Sequence, residues 1–136
     1  MRPTATEILA LRAGETTYPG TAEHVSTVRA DLRPLLRDCP VADDVILCAS
    51  EFAANAAGHS NSRLPGGTFT VRTVISRVGF VRIEVQDNGG PWTPAIAGAT
   101  GHHGLDIVRA LATNWGIDGD NTTRTAWATF NWTSRS

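Results

Sequence analysis

From Val81 to Asp87 the chain alternates without a break, with Val81, Ile83 and Val85 interleaved by Arg82, Glu84 and Gln86. Successive side chains of a strand point to opposite faces, so this run predicts a half-buried strand with one face on a core. The alternation carries Asp87 onto the apolar, inward face, where a charge ends a buried row. A second β-branched run, Thr68 to Ser76, is joined to it through Val78-Gly79, and together they predict an antiparallel hairpin.

The longest helical pattern runs from Val41 to His59. Val41, Val45, Cys48, Ala49, Phe52 and Ala56 fall within one arc at about 100° per residue. Glu51 borders that arc. Asn55 lies one turn on and about 40° further round, so the two side chains are axial neighbours able to share one ligand. His59 continues their row. Upstream, Glu7 to Tyr18 predicts a short edge strand, Pro19-Gly20 punctuates it, and Thr21 is placed to cap a helix. In that helix Val25, Val28, Leu32 and Leu35 or Leu36 recur at helical spacing, and Pro34 should kink or fray its last turn. Asn61 to Gly67 is a turn. Asn88 to Thr100, rich in Gly, Pro, Ala and Thr, has the length and composition of a lid or binding loop. A further helix starts near His102, carried by Leu105, Val108, Leu111 and Ala112. Residues 115 to 118 and 123 to 132 predict a closing hairpin. On its second strand Ala126, Ala128, Phe130 and Trp132 share one face, and Thr125, Trp127 and Thr129 the other.

A length of 136 residues with 41% hydrophobic content suits one domain, 1–136, with a continuous core. Its 12 basic and 13 acidic residues leave a net charge of -1, which argues against nucleic acid or an anionic membrane as partner. All the basic residues are Arg. The absence of Lys excludes the phosphate-loop ATPases and the common protein-kinase fold, both of which place a Lys on the phosphates. Cys39 and Cys48 lack metal-type spacing, and Cys48 falls in an apolar helical pattern, so buried thiols are expected rather than a disulfide. No apolar run near the N-terminus has signal-peptide or membrane length, and a soluble cytoplasmic protein is expected.

Several residues carry chemistry that converges on a nucleotide, and each has a plainer alternative. Asp87 as an acceptor can take a hydrogen from the amino group of adenine, where guanine would present a carbonyl. Taken alone it is as readily a turn initiator that accepts its neighbours' backbone amides. Gly89 and Gly90 let the backbone pass close to a flat base, or simply bend it. The segment Gly101-His102-His103-Gly104-Leu105 opens a helix whose N-terminal amides favour phosphate, although two solvated histidines at a helix cap account for it equally. Asn55 offers an amide oxygen suited to Mg²⁺, and Glu51 could orient or deprotonate a nucleophile. A helix-edge Glu and Asn facing water is the alternative for that pair.

In this order the residues resemble a family. Ser50-Glu51-Phe52-Ala53-Ala54-Asn55-Ala56-Ala57-Gly58-His59-Ser60 is similar to the asparagine box of the ATP-binding superfamily shared by histidine kinases, DNA gyrase and Hsp90. Val85-Gln86-Asp87-Asn88-Gly89-Gly90 resembles its first glycine box, and Gly104-Leu105-Asp106-Ile107-Val108 its second. Within the superfamily the chain most resembles the small bacterial anti-sigma-factor serine kinases. The resemblance implies an α+β fold, a two-layer sandwich with helices packed on one face of a mixed, mostly antiparallel sheet. It implies Glu51 as general base, Asn55 as magnesium ligand, Asp87 as adenine acceptor, Gly89 as the base-adjacent glycine, and Gly104 with Leu105 as part of the phosphate cradle. Thr125, in Arg124-Thr125-Ala126-Trp127, matches the threonine that supports the adenine contact.

The activity so implied is ATP- and Mg²⁺-dependent phosphorylation of a Ser on an antagonist protein, together with sequestration of a sigma factor. Pairing into a homodimer near the N-terminal sheet edge is a further implication. Two positions depart from the family pattern. His102 stands where many relatives carry a Gly, and Pro91-Trp92 follows Gly90 in place of a further flexible glycine. Both would stiffen the lid, so a non-catalytic ATP-binding interaction module is the rival reading, and a structural domain with relic motifs is a third.

Overall fold

The computed structural model describes residues 12–76, 78–90 and 104–132. Among them, strands β1 (Arg12–Pro19), β2 (Thr68–Ser76), β3 (Phe80–Asp87), β4 (Asn114–Gly119) and β5 (Arg124–Asn131) form one sheet in the order β1-β2-β3-β5-β4. Helices α1 (Glu23–Leu35), α2 (Ala42–His59) and α3 (Gly104–Leu111) accompany it, and a 3-10 turn, Asn61–Arg63, follows α2. The expected α+β sandwich forms, and each described pairing of strands is antiparallel.

Register converts the local alternation into a core. Val85 lies between Val71 and Ala126, Ile83 between Thr73 and Ala128, and Val81 between Ile75 and Phe130. These rows are buried under α2, whose Val45, Cys48, Ala49, Phe52, Ala53 and Ala56 are buried in turn. Removing this apolar surface from water is the main force holding helix to sheet. On the outer face Arg72 pairs with Glu15 and Arg82 with Glu84, each at 2.7 Å, while the Arg82 guanidinium lies 4.6 Å from the centre of the Trp127 ring. Such part-exposed pairs contribute about 0–1 kcal/mol each, so the inner face carries the stability.

The helix ends correct one expectation and sharpen another. Thr21 does not cap α1: the helix starts from Ala22 without a side-chain cap, and the Thr21 hydroxyl meets His24 Nδ1 at 2.6 Å instead. Pro34 does sit in the last turn, and α1 ends one residue later, with Leu36 N–H donating to the Leu32 carbonyl at 2.9 Å. Cys39 and Cys48 are both free, and burial pushes the Cys48 thiol up to about 12, with Asp44 and Glu51 adding to the shift. No helix among the described residues is long and apolar enough to cross a membrane. The expected strand start near Glu7, the lid from Pro91 to Thr100, and His102 with the helix start there lie outside the described residues.

Tyr18 fastens β1 to α1. It is buried, its ring centre lies 5.4 Å from that of Phe69, and its hydroxyl donates to Asp31 Oδ2 at 2.7 Å. Burial first, then the Asp31 hydrogen bond and charge, raise its pKa from 10.0 to about 12. The neutral phenol is therefore favoured by the fold. Its contribution is complete below pH 10.0 and is lost as pH rises toward about 12. Chemical denaturation at stepped alkaline pH should show that loss in the wild type and a flatter profile in Tyr18→Phe.

Candidate functional site

The carboxyl end of β3 meets the middle of α2 at a narrow cleft. Phe52 and Asn55 of α2 face Val85 and Asp87 of β3, while Ile117 of β4 and Arg124 and Ala126 of β5 form the far wall. The apolar walls follow from alternation, because Val85, Ile117 and Ala126 are the inward residues of three adjacent strands. The polar groups are few and convergent, as in small-molecule sites generally.

Asp87 makes a different contact with each of its oxygens. Its Oδ1 accepts the Gly89 N–H at 2.7 Å, closing the turn after β3. Its Oδ2 accepts from Arg124 Nη2 at 3.3 Å. The residue is only 8% exposed. Burial raises its carboxyl above the ordinary value, and the Gly89 amide and the Arg124 charge oppose that without cancelling it.

Asn55 projects from α2 into the same cleft. Its Oδ1 is buried and has no hydrogen-bond partner among the described residues. A buried amide oxygen left unsatisfied is costly, roughly 1–3 kcal/mol, so this oxygen in the cleft calls for a partner, water or ligand. This atom fits the part foreseen for it toward Mg²⁺, a hard cation that takes one or two protein oxygens and completes its shell with water and phosphate. No group of three or more acidic, His or Cys side chains among the described residues offers a metal cage.

The turn that presents Asp87 is fastened from behind. Asn61 N–H donates to the Gly89 carbonyl at 2.8 Å, Asn88 N–H donates to Ser62 Oγ at 2.9 Å, and Ser62 Oγ donates to the Thr68 carbonyl at 2.7 Å. Gly89 and Gly90 have φ of 71° and 121°, conformations that side chains resist. A Cβ on Gly89 would also strike the Asn121 carbonyl at the tip of the β4–β5 hairpin. Glycine is required here by the bend and by that hairpin.

The other expected residues are distributed as follows. Glu51 is half-buried one turn before Asn55 on α2, and is not among the residues lining the cleft. Gly104 opens the described part of α3, and Leu105 packs its side chain on the core. Neither lines the cleft. Thr125 stands opposite Gln86 and Asp118 in the sheet and does not line the cleft. Arg124 pairs with Asp87 and takes the inward position. Sequence reading missed Arg124, although extending the Phe130, Ala128, Ala126 alternation by one step finds a charge ending a second buried row. Ser62 gave no such signal, since a Ser in a turn is ordinary.

A family model described as a histidine kinase-like ATPase domain matches residues 18–130. No curated protein matches. Among solved structures the chain is similar to the crystal structure of the RsbU and RsbW domains of Rv1364c from Mycobacterium tuberculosis, with a TM-score of 0.65 and 25% identity. That similarity covers 88% of this chain and 32% of the other, so the chain spans about a third of that longer protein. The family match runs from Tyr18 in β1 to Phe130 in β5 and takes in every wall of the cleft, and the chain belongs to the histidine kinase-like ATPase domain family.

Proposed function

We propose that this chain is an ATP-binding regulatory serine/threonine kinase of the anti-sigma type, with residues 1–136 acting as one domain in the cytoplasm. The observation that carries the nucleotide reading is the buried, unpartnered Asn55 Oδ1 sharing a cleft with the Asp87 carboxylate. Similarity to a structure containing an RsbW domain supports the regulatory class. Asp87 accepts from the adenine amine, Gly89 shapes the turn that presents it, and Gly104 with Leu105 supplies backbone amides to the phosphates. Asn55 Oδ1 holds Mg²⁺, which neutralises phosphate charge when bound.

Glu51 is the base. The Oγ of a partner's Ser attacks the γ-phosphorus, its proton passes to the Glu51 carboxylate, and the bond between that phosphorus and its bridging oxygen breaks to release ADP. Partners are an antagonist protein that receives the phosphoryl group and a sigma factor that is sequestered. A homodimer formed near the β1 edge belongs to the same proposal, with neither nucleic acid nor membrane as partner.

Incubation with γ-labelled ATP and Ser-bearing antagonist candidates is expected to label the antagonist. Glu51→Ala should lower the rate by about 10²–10⁴ with nucleotide affinity retained. If the intact chain transfers no label and Glu51→Ala behaves identically, the kinase proposal fails.

One observation favours a second reading, a binding module without turnover: Glu51 does not line the cleft. On that reading ATP binds and is recovered intact. Titration of ATP and GTP with and without Mg²⁺ probes both readings at the binding step. ATP is expected to bind more tightly than GTP by roughly tenfold or more. Adding Mg²⁺ should strengthen ATP binding in the wild type and have little effect in Asn55→Ala.

A further inference from the structure

Of the three polar side chains lining the cleft, one is not used by the proposed chemistry. Arg124 lines it, reaches Asp87 at 3.3 Å, and is buried with it, the two side chains being 11% and 10% exposed. An Arg placed there for surface charge would sit in solvent, where such pairs contribute little. This one has been brought to the base-facing carboxylate.

We propose that Arg124 is a second base-reading residue: its guanidinium, held beside Asp87, donates to a ring nitrogen flanking the exocyclic amine that Asp87 accepts from, so that the cleft reads two adjacent atoms of adenine. This rests on the cleft being the nucleotide site proposed above.

The geometry presents an acceptor and a donor side by side. Asp87 Oδ1 accepts the Gly89 amide while Oδ2 lies beside Arg124 Nη2, so in the cleft an oxygen with a lone pair to spare and a guanidinium nitrogen stand as neighbours. Adenine carries the complementary order, a donating amine with an accepting ring nitrogen on either side. A single Asn or Gln amide reads adenine in the same way, accepting from the amine while donating to the ring nitrogen beside it. Here the two halves of that amide are divided between a carboxylate and a guanidinium.

Guanine has a carbonyl at the position of the amine, so Asp87 would face an acceptor whichever flanking atom Arg124 met. The guanidinium also has reason to stay when the base arrives. Pulling it away would leave a buried carboxylate without its counter-charge, which is strongly unfavourable. A planar group with several N–H donors can keep its carboxylate contact and still reach a second acceptor.

The test titrates ADP, 1-deaza-ADP and 7-deaza-ADP into the full chain and into Arg124→Met by calorimetry. The two analogues each replace one flanking ring nitrogen by a C–H. In the wild type at least one analogue should bind about tenfold more weakly than ADP, the size of one hydrogen bond to a charged donor. In Arg124→Met that ratio should fall below about twofold on the same scale. Equal binding of all three nucleotides by the wild type overturns the proposal. So does a penalty that persists in Arg124→Met, or tighter ADP binding by that variant, which would make the guanidinium only an obstruction.

Should Arg124→Met not fold, the comparison within the wild type still decides, and Arg124→Gln, which keeps an N–H donor, should retain the discrimination. Failure of the wild type to bind ADP at all is a different result, and it removes the nucleotide reading together with this one.

Discussion

Asp87→Asn is expected to weaken adenine-nucleotide binding by roughly 10- to 150-fold, the equivalent of the 1.5–3 kcal/mol of a charge-assisted hydrogen bond. The substitution is nearly isosteric, and its amide oxygen can still accept the Gly89 N–H, so the turn should survive. What changes is the group facing the cleft. Where Oδ2 accepted, an amide nitrogen now donates, and it confronts both the adenine amine and Arg124 Nη2. Arg124 also loses the charge of its partner carboxylate, so the variant's stability shifts together with its affinity. Calorimetric titration should therefore be run well below the variant's melting temperature, with both quantities reported. Unchanged affinity in a folded Asp87→Asn would show that the base lies elsewhere.

The same residue sets a pH dependence. Burial holds the Asp87 carboxyl above its usual 3.8, and the adenine contact uses the ionised form. Wild-type affinity should accordingly fall as pH drops through that raised value, earlier than for an exposed Asp, while the residual binding of Asp87→Asn should not change there. Stability moves in the opposite sense. A carboxyl raised by folding binds more protons in the native state than in the unfolded one, so its ionisation costs stability as pH climbs from 3.8 through the raised value.

Ser62→Ala is expected to destabilise the protein by about 1–3 kcal/mol, because two part-buried backbone groups depend on this one hydroxyl. The Asn88 N–H and the Thr68 carbonyl both lose their Ser62 Oγ partner, at 2.9 and 2.7 Å. Ser62 is also gripped from two sides: a Cβ on Gly20 or on Gly67 would collide with its backbone carbonyl. Gly67→Ala should therefore cost at least as much, by driving Ser62 out of the position from which it holds Asn88.

Since Asn88 adjoins Asp87, Ser62→Ala should lower nucleotide affinity as well as urea resistance. Leu32→Ala, which truncates a buried leucine of α1, should cost a comparable 2–5 kcal/mol and leave affinity unchanged. Equal affinity losses in the two variants would mean that Ser62 acts on stability alone.

Much of the fold was legible because its signals are local. The period of two along Val81–Asp87 placed Asp87 inward, and the helical period made Glu51 and Asn55 neighbours one turn apart at the edge of the apolar arc, since both periods come from backbone geometry. The extent of α2 was read to within one residue for the same reason. Thr21 misled because a hydroxyl before a helix has more than one partner, and His24 competed for it.

By itself, then, the amino-acid order determined which residues could face a core, where the chain turns, and that Asp87 would point inward. Tertiary structure alone decided which inward residues meet. Asp87 and Arg124 are 37 residues apart, and Ser62 and Asn88 are 26 apart. Neither pairing exists until β3 and β5 choose their register and the turn after α2 docks beneath β3. A two-residue slip between those strands would have kept every side chain on its face and exchanged Arg124 for a different neighbour, because alternation specifies a face while only packing against the shared core specifies a partner.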